Sequence, residues 1–195
     1  MVNKLSDQDE CPLDLCIFNF IDIHLHHYYN IGFSPNMVTT FSFLFGLLSA
    51  QQILKGHFNL SIGLLLVSYY LDCVDGKLAR QYNMVTPLGD IYDHVGDLLK
   101  IIAIIAALFA SNTEKTTNKQ WLYMTWFALL TFVQCIHLGY QETIYNKQEE
   151  SSFLNIWRKI VAFDLTPEKT IQCTKYLGCG TWYLCFALLI FFWRK

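Results

Sequence analysis

Five stretches of this 195-residue chain approach the length and apolarity of a helix that crosses a lipid bilayer, and this limits the fold more than any other feature. Such a helix needs about 20 mostly apolar residues, within a range of about 17–25. The stretches are 37–54, 58–74, 95–110, 121–140 and 176–193. Tyr69, Tyr70, Trp121, Tyr140, Tyr176 and Trp193 sit near their ends, where interfacial aromatics belong. The chain is 53% hydrophobic and only 15% charged. An ordinary soluble domain carries about 25% charged residues, which it needs for its surface. The expected class is therefore an all-α integral membrane protein.

Two further segments are amphipathic. Residues 13–33 mix Ile17, Phe18, Phe20, Ile21 and Leu25 with Asp14, Asp22 and three histidines, His24, His26 and His27. This reads as an interfacial helix just before the first span, with the histidines on a wet face. Residues 152–165 place Phe153, Ile156, Trp157 and Ile160 on one helical face. They form either a second interfacial helix or a sixth span. The expected organisation is a polar and interfacial segment at 1–33, followed by a membrane domain at 34–195.

Several classes drop out on composition. A net charge of −2 offers no basic surface for nucleic acid. Seven cysteines, an odd number mostly inside apolar runs, do not read as a disulfide framework. Met1 to Glu10 are polar and do not read as a secretory leader. Lys147, Arg158, Lys159, Lys169 and Lys175 outnumber Lys55, Lys115 and Lys119 on the opposite side. The positive-inside rule then puts the 72–97 connection on the cytosolic face.

That connection carries the chemistry. It reads Asp72-x2-Asp75-Gly76-x2-Ala79-Arg80-x8-Gly89-x3-Asp93-x3-Asp97. Asp72 and Asp75 share a face at the end of one helix. Gly89, Asp93 and Asp97 form an i, i+4, i+8 stripe at the start of the next. A short return would make the two helices antiparallel neighbours and bring four carboxylates together. Each Asp at mid-membrane costs about 2.5–3.5 kcal/mol on insertion scales, and like charges resist joint ionisation. Protons or cations must compensate. Oxygen donors without Cys or His suit Mg²⁺ or Mn²⁺, and two such ions would hold a pyrophosphate for phosphoryl-type transfer.

This run resembles the signature of the CDP-alcohol phosphotransferase family at every fixed position. Pro35-Asn36-Met37-Val38-Thr39 is similar to that family's Pro-Asn-x-x-Thr element. The resemblance implies a bundle of about six spanning helices with a juxtamembrane N-terminal helix, a cytosolic site and a homodimer. It implies that Asp72, Asp75 and Asp93 hold two divalent cations, with Asp97 as general base near a metal. It also implies that Asn36, Thr39, Gly76, Ala79, Arg80, Thr86 and Gly89 line the CDP pocket together with Asp72.

The implied reaction moves a substituted phosphate from a CDP-alcohol to an acceptor hydroxyl and releases CMP. Asp75-Gly76-Lys77, Pro87-Leu88-Gly89-Asp90 and Tyr92-Asp93-His94 look similar to the choline and ethanolamine phosphotransferase branch. There the donor is CDP-choline or CDP-ethanolamine, the acceptor is diacylglycerol, and a eukaryotic member would sit in the endoplasmic reticulum. The alternative is phosphatidyl transfer from CDP-diacylglycerol to inositol, serine or glycerol phosphate. A cation transporter explains the acids but not Arg80 or the glycine spacing. A prenyltransferase would need a second Asp-x3-Asp pair, and an inert structural relative would not need every motif position.

Overall fold

The computed structural model describes residues 5–112, 116–145 and 166–194, and these are helical with no strand. In chain order the helices are α1 (Pro12–Asn30), α2 (Pro35–Leu54), α3 (Phe58–Gln81), α4 (Pro87–Ala110), α5 (Asn118–Tyr145), α6 (Pro167–Thr174) and α7 (Cys179–Trp193), with one 3₁₀ turn at Lys175–Leu177. The chain's four prolines all stand in the first turn of a helix, at α1, α2, α4 and α6. There the missing N–H costs nothing and the fixed φ suits the helix. Ser34 and Thr86 cap α2 and α4, accepting from the amides of Met37 and Gly89. The chain reverses after α1, α2 and α3 at Gly32, Gly56 and Asn83, all with positive φ.

Among the described residues, four segments are long and apolar enough to cross a membrane: Pro35–Leu54, Phe58–Gln81, Asn118–Gln141 and Pro167–Trp193. The chain is a multi-pass membrane protein of the all-α class. Helix α4 matches α3 in length but carries Asp90, Asp93, Asp97 and Lys100 within its first fourteen residues, so only Ile101–Ala110 is continuously apolar. Segment 152–165, read as an interfacial helix or a sixth span, lies outside the described residues. Helix α1 supplies the N-terminal amphipathic element, burying Ile21 and Leu25 against Val38, Val74 and Leu78.

One expectation changes. Helices α3 and α4 are not neighbours along their lengths, because α2 packs extensively against both and separates them. Small residues allow this. Ser42 and Ser49 on α2 exchange hydrogen bonds with Ser68 and Ser61 on α3, at 2.8–3.3 Å. Between them lies Gly46, where a Cβ would stand 2.8 Å from the Cβ of Lys100 on α4. Close backbone approach through Gly and Ser is the usual means of helix association where lipid removes the hydrophobic drive. Helix α7 fills the centre of the other half. Its Trp182, Tyr183, Phe186, Ile190 and Trp193 meet Leu65 and Tyr69 of α3, Ile104 and Leu108 of α4, and Phe127 of α5. The Trp193 indole donates to the Leu108 carbonyl at 2.8 Å, and that of Trp182 to Thr131 at 2.9 Å. Buried indole N–H groups are thus satisfied without water.

Candidate active site

Helix α3 runs on to Gln81, so Asp72, Asp75, Gly76, Ala79 and Arg80 all lie on its last turns. Helix α4 starts at Pro87, which puts Gly89, Asp93 and Asp97 on one face of its first turns. With α2 between the two helices, the acids meet across its N-terminal half rather than across a helix–helix seam. Asp72, Asp75 and Asp93 each offer a carboxylate oxygen, and these oxygens lie within 4.8 Å of one another. Among the described residues no other group of His, Cys, Asp and Glu has metal-compatible spacing.

The surroundings of the three acids are tailored. Thr39 donates to Asp75 Oδ2 at 2.6 Å while Asp75 itself is buried. His94 Nδ1 faces Asp93 Oδ2 at 3.7 Å. The other oxygen, Asp93 Oδ1, is buried and has no hydrogen-bond partner. A buried carboxylate oxygen left without a donor is costly, and a cation is what would offset it. Hard oxygen donors with one orphaned oxygen fit a divalent ion such as Mg²⁺ or Mn²⁺.

Asp97 stands apart from this trio. Its Oδ1 lies 2.6 Å from the ammonium of Lys100, one helical turn further on, and the same ammonium is 3.0 Å from Asp72 Oδ1. Lys100 also donates to Ser42 at 3.0 Å and is 1% exposed. Sequence reading missed Lys100. The signal was a lone cation in the otherwise apolar run 98–110, on the face that carries Asp93 and Asp97. Lys77 was read only as part of Asp75-Gly76-Lys77, without a structural partner. It is buried, pairs with Asp22 of α1 at 2.5 Å and donates to the Phe18 carbonyl at 3.2 Å, which ties α1 to the acidic end of α3.

The residues expected around a nucleotide fall into three places. Arg80 folds over Gly76, so that a Cβ there would meet its guanidinium at 3.2 Å. Asn36 and Thr86 meet at Gly89, where a Cβ would stand 3.1 Å from Asn36 Oδ1 and 2.9 Å from Thr86 Oγ1. Thr86 is the α4 cap, accepting from the Gly89 amide at 3.0 Å. Thr39 is turned toward Asp75 and buried. Ala79 is half-buried on the turn that bears Arg80. The histidines of α1 are elsewhere: His24 and His27 line a cavity of 320 Å³ with Phe20, Tyr28, Phe33 and Tyr70, which includes none of the acids.

Comparison with known proteins agrees with this geometry. Residues 33–193 match the family model of the CDP-alcohol phosphatidyltransferases. Cholinephosphotransferase 1 of Mus musculus is 32% identical over 109 residues, covering 55% of this chain and 27% of the relative. Ethanolaminephosphotransferase 1 of Homo sapiens is 26% identical over 152 residues, covering 67% and 38%. Choline/ethanolaminephosphotransferase 2 of Arabidopsis thaliana is 39% identical over 79 residues, covering 33% and 20%. The chain thus spans between 20% and 38% of the length of these curated relatives. No solved structure matches. With the family model covering most of the chain and the motif acids converging in space, the chain belongs to the CDP-alcohol phosphatidyltransferase family.

Proposed function

We propose that this chain is a phosphotransferase that moves a phosphoalcohol from CDP-choline or CDP-ethanolamine to diacylglycerol, releasing CMP. The observation that carries the reading is the meeting of carboxylate oxygens of Asp72, Asp75 and Asp93 within 4.8 Å, with Asp97 linked to Asp72 through Lys100. The choice of donor rests on relatives named for choline and ethanolamine transfer.

In this reading Asp72, Asp75 and Asp93 hold Mg²⁺ or Mn²⁺. The bound metal supplies charge neutralisation for the diphosphate and for the phosphoryl oxygens as the bond to CMP breaks. Thr39 fixes the orientation of Asp75 and so acts on the site through it. Gly76 and Ala79 leave the α3 surface shallow enough for the CDP moiety, and Arg80 pairs with its phosphate oxygens. Asn36, Thr86 and Gly89 form the facing wall.

Asp97 takes the proton. One of its oxygens is engaged by Lys100 at 2.6 Å, which leaves the other to accept from the acceptor hydroxyl. The hydroxyl oxygen attacks the β-phosphorus, the P–O bond to the α-phosphate breaks, and CMP leaves with the bridging oxygen. The site faces the cytosol in a membrane of the endoplasmic-reticulum type, within a homodimer surrounded by lipid. The motif-bearing domain begins near residue 34.

The test is product identification. Protein in mixed micelles with Mn²⁺ and diacylglycerol receives CDP-choline or CDP-ethanolamine labelled in the alcohol. Label in the chloroform-soluble fraction supports the reading. Label transfer only from CDP-diacylglycerol to a polar alcohol moves the chain to the phosphatidyl-transfer branch.

A further inference from the structure

We infer that Lys100 supplies the second positive charge of this site, so that the chain binds one divalent ion, at Asp72, Asp75 and Asp93, rather than a bridged pair. The inference rests on the metal-dependent reading above and specifies how that site is charged. The acids divide into two groups with different needs. On one side Asp93 Oδ1 is buried and lacks any donor, next to Asp75, whose Oδ2 already accepts from Thr39. That side calls for a cation. On the other side Asp97 Oδ1 and Asp72 Oδ1 share one ammonium, at 2.6 and 3.0 Å. That side already has one.

Lys100 is built into this position. Its stem crosses α2 through the notch at Gly46, where a Cβ would lie 2.8 Å from its Cβ and 3.1 Å from its Cδ. Only glycine leaves that path open. The three hydrogens of an ammonium find three acceptors, Asp72, Asp97 and Ser42, so no donor is wasted on burial. The Tyr183 ring stands 5.8 Å from the nitrogen. Paired metals in two-ion sites sit about 3.5–4 Å apart and share a bridging carboxylate. Here the carboxylate that would bridge, Asp72, already joins the metal trio to Lys100. A second divalent ion between Asp72 and Asp97 would have to displace a buried, fully bonded ammonium of like charge.

The experiment counts ions. Full-length protein in detergent is titrated with Mn²⁺ and followed by calorimetry and electron paramagnetic resonance. The wild type is expected to bind one Mn²⁺ with the spectrum of an isolated ion. Lys100→Met, which keeps the stem and removes the charge, is expected to bind two with a spin-coupled signal. Lys100→Gln, which keeps hydrogen bonding to both acids, serves as the second variant should Lys100→Met not fold. Asp75→Asn is expected to lose the wild-type ion. Two coupled ions in the wild type overturn the inference, as does a count of one in both folded Lys100 variants, or no bound ion at all. A single bound ion without CMP release from any CDP donor removes the transferase reading and leaves the one-ion assignment standing.

Discussion

Lys100 and Asp97 meet at 2.6 Å across one turn of α4, and through Asp72 the same lysine joins α4 to α3, two helices whose backbones are held apart by α2. The pair therefore ties the bundle together as well as shaping the site. Removing one partner of a buried ion pair costs about 3–5 kcal/mol, because the other charge is left uncompensated. Lys100→Ala is expected to lower the thermal midpoint in metal-free detergent, and Mn²⁺ is expected to recover part of the loss. A midpoint equal to wild type without metal would show that the pair carries no weight in the fold.

Thr39 reaches the acids through one hydrogen bond, 2.6 Å to Asp75 Oδ2. Partners that orient a metal ligand typically contribute about 10–100-fold in metal affinity. Thr39→Val keeps the shape and removes the donor, so Mn²⁺ affinity should fall within that range, while Thr39→Ser restores it. Equal affinity in Thr39→Val and wild type would mean that Asp75 is oriented by something else.

Gly46 has no room for a side chain, with Lys100 Cβ 2.8 Å from where its own Cβ would be. Both are backbone-proximal atoms on packed helices, so neither yields easily. Gly46→Ala should cost about 1–3 kcal/mol of stability, as overpacking does. It should also weaken Mn²⁺ binding by moving Lys100 and Asp72. Unfolding and Mn²⁺ titration of the same preparation measure both effects, and wild-type values in both would refute the close contact.

Asp14 of α1 lies buried against the start of α7, hydrogen-bonded to the Tyr69 hydroxyl. Burial raises its carboxyl above the ordinary value of 3.8, although bonds from Tyr69, Cys11 and the Gly180 and Cys179 amides pull the other way. An acid raised in the folded state is protonated more readily there than in the unfolded chain. Its charged form thus costs stability as pH rises from 3.8 through the raised value. Asp14→Asn, which cannot ionise, should show a smaller loss of stability over that rise than wild type. Asp14→Ala should be less stable at every pH by about 1–3 kcal/mol, since the donors around it lose their acceptor. Parallel pH profiles for wild type and Asp14→Asn would refute the raised carboxyl.

Much of the arrangement was legible because its physical cause is local. The apolar windows at 37–54, 58–74 and 121–140 give three of the spans, and the one at 176–193 falls within a fourth, Pro167–Trp193. The motif acids fall on helix faces by spacing alone. The order of packing was not legible. Nothing in the spacing of α3 and α4 says that α2 comes between them; that follows from the small stripe Ser42, Gly46 and Ser49, which has no hydrophobic signal of its own. Lys100 escaped for a related reason. A lysine inside an apolar run makes sense only once the notch that admits it and the two acids that receive it are placed in space.

CMP release by the protein in micelles containing diacylglycerol, with CDP-choline and CDP-ethanolamine as donors, decides whether the clustered acids perform phosphoalcohol transfer. Release is expected to require diacylglycerol, to stop when a chelator removes Mn²⁺ or Mg²⁺, and to be abolished by Asp93→Asn. Folded protein that binds Mn²⁺ yet releases no CMP from either donor, or releases it equally without an acceptor, would contradict that role.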